Sequence, residues 1–194
     1  PLGTVVCIVP FNFPLALFAH KVAPALISGN AVIVKPSTDN PLSVIRLTEL
    51  LVESGVPGGV AQVVTGKGSL IGTYLTSSPD IDAISLTGSV ESGAEIAKSA
   101  APRMKRVFLE LGGNDCMIVF PDADLDQTIQ QVFGGRIFNA GQICCGTKRY
   151  IVHNSIKKAF VEKLIVELKK IKMGNPLDGC TQMGCLISEK AAME

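Results

Sequence analysis

The chain has 194 residues, 47% of them hydrophobic and 18% charged, which is enough apolar material to bury a core and excludes disorder as its dominant state. Lysine and arginine number 18 against 17 aspartates and glutamates, a net charge of +1, so there is no broad positive field for nucleic acid. The longest apolar stretches, residues 4–10 and 31–34, fall far short of the roughly 20 residues that a membrane helix requires.

Short β-branched runs bounded by glycine or proline predict buried strands at Thr4–Val9, Ala31–Val34, Val60–Val64, Ala83–Leu86 and Val107–Leu109. Helical patterns lie between them. One is Pro41–Glu53, which sets Leu42, Ile45, Leu47, Leu50 and Leu51 on an apolar face and has Gly55 just past its end; another is Val90–Ser99. This alternation predicts the α/β class, a Rossmann-like parallel sheet covered by crossover helices. After Gly113 a new series opens, with a strand at Met117–Phe120, a helix from the acidic start at residues 121–126 to about Asn139, and a helical stripe of Ile156, Phe160, Leu164, Leu168 and Ile171 within Ser155–Met173. The lysines of that last segment read as a solvated face. A domain boundary is expected near residue 112, dividing a cofactor domain, 1–112, from the start of a catalytic domain, 113–194.

Six cysteines, at 7, 116, 144, 145, 180 and 185, lack the spacing of a disulfide framework or a zinc site, and there are only two histidines. No metal is expected, and reduced thiols fit a cytoplasmic protein. The chain starts on Pro1 without a targeting run, and a piece of a longer protein is expected.

Several residues can carry chemistry. Cys144, in FNAGQICC, is either a nucleophilic thiol, activated at a helix N-terminus or beside polar donors, or one of a pair of packed thiols. Glu110, in LELGGN, ends an apolar strand before two glycines, where open sheets bind ligands. It reads as a general base raised by desolvation or as an ion-paired structural acid. Asn12, in PFNFP, is a pre-positioned amide donor for an oxyanion or a turn asparagine. The step from LTGS into helix 90–99 offers backbone N–H groups to a phosphate, with Gly88 and Gly93 permitting close approach. GKGSLIG at 66–72 approximates a dinucleotide fingerprint with its third glycine one residue late, and Lys35 is a cation for ribose or phosphate or a surface lysine. A cysteine hydrolase would need a histidine near Cys144, and neither His20 nor His153 sits in a motif for that role.

Taken in order, PFNFP at 10–14, VKPS at 34–37, LTGS at 86–89, LELGG at 109–113 and FNAGQIC at 138–144 resemble the aldehyde dehydrogenase superfamily, along the whole chain from Pro1 to Glu194. The resemblance implies NAD or NADP as cofactor and a small aldehyde as substrate. Cys144 is then the nucleophile, forming a thiohemiacetal and then a thioester; Asn12 and the Cys144 N–H hold the oxyanion, and Glu110 activates the hydrolytic water. It also implies cofactor contacts at Pro10, Phe11, Lys35, Ser37, Thr38, Gly66, Gly88, Ser89, Leu111 and Gly112. Many NAD-preferring members carry Glu where this chain has Thr38, and a neutral residue there does not repel a 2′-phosphate, so NADP tolerance is implied. Phe11 stands where Trp is commoner, and Cys116 and Cys185 where Pro is frequent. PFNFP followed by LALFAHKVAPA is similar to lactaldehyde or semialdehyde members. Such proteins are homo-dimers or homo-tetramers and longer than this chain. The alternative reading is an inactive or weakly nucleotide-binding fragment with a structural role only.

Overall fold

The structure is a computed structural model that describes residues 1–193; Glu194 lies outside the described residues. The chain divides into two compact units, Pro1–Gly112 and Gly113–Glu194.

In the first unit, β1 (Thr4–Ile8), α1 (Pro14–Ile27), β2 (Ala31–Lys35), α2 (Leu42–Glu53), β3 (Ala61–Val63), α3 (Thr73–Ser77), β4 (Ala83–Thr87), α4 (Val90–Ala100) and β5 (Arg106–Glu110) follow one another. The strands form one parallel sheet in the order β3-β2-β1-β4-β5. Successive side chains of a strand point to opposite faces, so a strand apolar at every position is buried on both sides. Val5, Cys7 and Val9 pack with Val32, Val34, Phe18 and Val22 of α1 and Val44 of α2. Val6 packs on the opposite side, with Ile84, Leu86, Leu75 of α3 and Ile96 of α4. The chain winds from β1 outward to β3, then returns to β4 and β5, so its direction reverses between β1 and β4. A crevice opens at the C-terminal ends of the strands at such a reversal.

In the second unit β6 (Cys116–Val119) pairs in parallel with β7 (Arg149–Val152), and α5 (Leu125–Val132), α6 (Lys157–Leu168) and α7 (Glu189–Met193) complete it. Asp124 caps α5 by accepting from the N–H groups of Asp126 and Gln127 at 2.9 and 3.1 Å. Val119, Ile129, Val132 and Phe160 form its core, with the Tyr150 and Phe160 rings 6.2 Å apart.

One expectation changes. The helix read as reaching Asn139 is α-helical only to Val132. Gly134 and Gly135 weaken it, the backbone widens into a π turn over Phe133–Ile137, and Asn139 and Ala140 turn left-handed. The helix within 155–173 spans Lys157–Leu168; the lysines of the segment lie on the exposed face expected of them, and the partly exposed Lys163 Nζ meets Asp126 Oδ1 at 2.6 Å.

A candidate active site at the sheet's edge and a thiol turn

In the first unit the candidate residues gather at one edge. The register Ile8↔Lys35, Ile8↔Leu86 and Thr87↔Glu110 aligns the strand ends, so Lys35 ends β2, Gly88 and Ser89 follow β4, Glu110 ends β5, and Pro10–Asn12 follow β1. The Gly88 N–H donates to the Glu110 carbonyl at 3.0 Å, tying the last two ends together. That N–H is therefore occupied. Ser89 is the N-cap of α4, its Oγ accepting the Ser92 N–H at 3.1 Å, so the N–H groups of Val90 and Glu91 open the helix.

Lys35 is buried, which excludes the surface-lysine reading. Its amine donates to the Pro36 carbonyl at 3.0 Å, and burial lowers its pKa. An ammonium has three donors, so the group retains capacity for hydroxyl acceptors. Asn40 Nδ2 donates to the Phe11 carbonyl at 3.1 Å, joining the PFNFP loop to the VKPS loop. Thr38 is exposed and its hydroxyl donates to the Gly66 carbonyl at 3.4 Å. Gly66 has φ +142, and a Cβ there would lie 2.6 Å from Ile71 Cγ1, so the position needs glycine. Ser37 Oγ accepts the Asp39 N–H at 3.3 Å. Leu111 packs on α4, where a Cβ on Gly93 would lie 2.7 Å from its Cδ2; Gly112 is exposed. Asn12 is half-buried.

A cavity of about 740 Å³ opens on the α1 face of the sheet, lined among others by His20, Lys21, Ser85, Thr87, Phe108 and Glu110. Glu110 is exposed, so the desolvation expected for it is not supplied by the described residues of its unit. Thr87 Oγ1 is buried and has no hydrogen-bond partner among the described residues.

Sequence reasoning missed Lys21. It is buried, its Nζ donates to Ser85 Oγ at 3.1 Å, and burial lowers its pKa against the opposing effects of Cys7 and Glu110. The signal was present: Leu17, Phe18, Lys21, Val22 and Ala25 follow helical spacing, which sets a lysine in an apolar stripe.

In the second unit Cys144 is exposed on a turn, not at a helix N-terminus, with Cys145, also exposed, beside it. Among the described residues neither thiol is buried. A Cβ on Gly113 would lie 2.9 Å from the Cys144 carbonyl oxygen, so the second glycine of LELGG leaves room for the thiol turn. No group of three or more His, Cys, Asp or Glu able to hold a metal exists among the described residues, and no described helix is long and apolar enough to cross a membrane.

A doubly wound parallel sheet with a polar C-terminal edge defines the class as an α/β protein built for a ligand at its reversal point. The sequence profile of the aldehyde dehydrogenase family matches residues 1–194, and the chain belongs to that family. It is 42% identical to the hydroxyisobutyraldehyde dehydrogenase of Mycolicibacterium austroafricanum, covering 98% of this chain and 38% of that protein. It is 41% identical to the NADP(+) succinate-semialdehyde dehydrogenase of Escherichia coli, covering 98% and 40%. Among solved structures, the betaine aldehyde dehydrogenase of Staphylococcus aureus in complex with NAD+ superposes with a TM-score of 0.95 at 42% identity, over 98% of this chain and 38% of that one. The chain thus spans about two fifths of the length of the relatives it matches.

Proposed function

We propose that this chain carries the cofactor and nucleophile segments of an NAD(P)-dependent aldehyde dehydrogenase. The observation that carries the reading is the gathering of Asn12, Lys35, Gly88 and Glu110 at one sheet edge in a chain of this family. In this reading residues 1–112 bind the cofactor and residues 113–194 begin the catalytic domain. Lys35 and Ser37 hold the adenosine ribose, Gly66 and Thr38 border its adenine end, and the start of α4 at Gly88 and Ser89 faces the pyrophosphate. Pro10, Phe11, Leu111 and Gly112 line the remainder. The residues fit such a group because a desolvated amine with donors to spare stands at the strand ends beside a helix N-terminus.

The Cys144 thiolate attacks the aldehyde carbon, and its sulfur–carbon bond forms as the carbonyl electrons move onto oxygen. The Asn12 amide and the Cys144 N–H stabilise that oxyanion. A nicotinamide cofactor, held by the residues named above, would supply the acceptor for the hydride of that carbon. Glu110 then takes a proton from water, which attacks the thioester, and the carbon–sulfur bond breaks to give a carboxylate and the free thiolate. Exposure of Cys144 and Glu110 leaves both open to substrate and water. A neutral Thr38 lets NADP serve as well as NAD. The substrate is a small aldehyde of the lactaldehyde or semialdehyde kind, handled by a homo-oligomer in the cytoplasm.

The test is aldehyde-dependent reduction of nicotinamide, followed by its near-ultraviolet absorbance, in the protein carrying this chain and in its Cys144→Ala form. Activity is expected to be lost in the variant. Equal rates would remove the nucleophile and leave nucleotide binding only.

A further inference from the structure

The residues leading to Cys144 run through three consecutive left-handed backbones: Asn139 (φ 52), Ala140 (φ 54) and Gly141 (φ 78). For a residue bearing a Cβ that conformation is unfavourable, and Ala140 has no side-chain amide to offset it, so neighbouring contacts must hold the turn. Gln142 supplies them. Its backbone N–H and its side-chain Nε2 both donate to the Asn139 carbonyl, each at 3.1 Å. At the other end of the same amide, Oε1 accepts the N–H of Ile187, 45 residues away, at 2.9 Å. Asn139 Nδ2 returns to the Gln142 carbonyl at 3.5 Å, and Arg136 Nη1, the charged group on this turn, donates to the Gly141 carbonyl at 3.4 Å.

We propose that Gln142 is a positioning residue for Cys144: its amide clamps the left-handed turn at Asn139 and anchors it to the segment at Ile187, setting the presentation of the thiol two residues on. The inference rests on Cys144 being the nucleophile. Gln142 is assigned no contact with substrate. The clamp needs a donor at one end and an acceptor at the other, which an amide has and a carboxylate lacks.

The test follows labelling of Cys144 by dipyridyl disulfide, mapped by mass spectrometry against adjacent Cys145 as internal reference. In the unaltered protein the two thiols are expected to react at unequal rates. In Gln142→Met, which keeps length and loses both bonds, the ratio is expected to move toward one by about tenfold, the order of one hydrogen bond's net contribution. Gln142→Glu is expected to move the ratio in the same direction at neutral pH, because its carboxylate accepts from Ile187 but cannot donate to the Asn139 carbonyl, and to recover the native ratio as its carboxyl protonates and gains that donor. A residue that merely fills space would make the two variants alike at every pH. Should Gln142→Met fail to fold, the pH recovery of Gln142→Glu alone decides. Equal rates in the unaltered protein, or a ratio insensitive to both variants, overturns the proposal. Retained aldehyde oxidation in Cys144→Ala would instead overturn the parent reading and leave the thiol ratio untouched.

Discussion

Two buried residues of the first unit, Cys7 and Lys21, make opposite demands on the proton. Burial pushes the Cys7 thiol up to about 11, against which the nearby Lys21 ammonium acts in the lowering direction. Only the thiolate is nucleophilic, so Cys7 is expected to stay unlabelled in the folded protein at neutral pH while the five exposed cysteines react. Peptide mapping after brief alkylation checks this, and rapid labelling of Cys7 would show that the strand core opens. Lys21 is held below the ordinary ammonium range, first by desolvation, so the folded state binds its proton more weakly than the unfolded chain does. Its unfavourable contribution is complete below the lowered folded value and fades as pH rises to the ordinary 10.5. Cys7 works in the reverse sense between 9.0 and about 11, because its folded form retains the proton longer. The difference between Lys21→Met and the unaltered protein isolates the lysine. The variant is expected to melt a few degrees higher at neutral pH, the order of about 1 kcal/mol, with the gap closing under alkaline conditions. A variant that melts lower would mean that the bond to Ser85 outweighs the desolvation.

Among the helices of the first unit, α4 is capped by Ser89. Its Oγ accepts from Ser92, so Ser89→Ala is expected to destabilise the first unit by about 1 kcal/mol and Ser89→Asp to retain the cap, with thermal melts as the measurement. Loss of stability in both would mean that the hydroxyl bond to Ser92 Oγ, not the cap, is what counts. Strands β1, β2 and β4 were legible because residues buried on both faces read as continuous apolar runs, whereas β5, expected to be buried, leaves Phe108 and Leu109 exposed; all strand ends fell within two residues of expectation. Helix α1 was not singled out in the sequence, since Pro14 at its start and Pro24 inside it resemble loop punctuation. Pro14 sits where its missing N–H is harmless, and Pro24 lies in the helix's last turns. The turn before Cys144 was illegible for another reason. Asn139 and Gly141 tolerate a left-handed backbone but Ala140 between them does not favour one, and part of what anchors the turn comes from Ile187, 45 residues from Gln142. Motif spacing identified Cys144, Glu110 and Lys35 as candidates, but their burial depends on neighbours distant in sequence.

At the scale of the whole chain, the function proposed above would place cofactor recognition in Pro1–Gly112 and thiol chemistry in Gly113–Glu194, two compact units, and that division makes a paired prediction. Thr38 is exposed, and its hydroxyl makes a long bond to the Gly66 carbonyl of the neighbouring loop. A carboxylate placed there in Thr38→Glu repels a 2′-phosphate while accepting from ribose hydroxyls, so the ratio of NADP to NAD affinity is expected to fall by about tenfold or more, the order of one charge-assisted contact. Cys144 labelling in the same variant is expected to be unchanged, because substitutions without shared partners act independently. The reciprocal holds for Cys144→Ala, in which fluorescence titration should give cofactor affinities within about twofold of the unaltered protein even though oxidation is lost. Should Thr38→Glu leave the affinity ratio intact, Lys35 rather than the Thr38 position would govern the adenosine end, and Lys35→Met would then weaken both cofactors alike. Should either variant disturb the other unit's readout, binding and chemistry would be energetically coupled, and the division at Gly112 and Gly113 would be one of contacts alone.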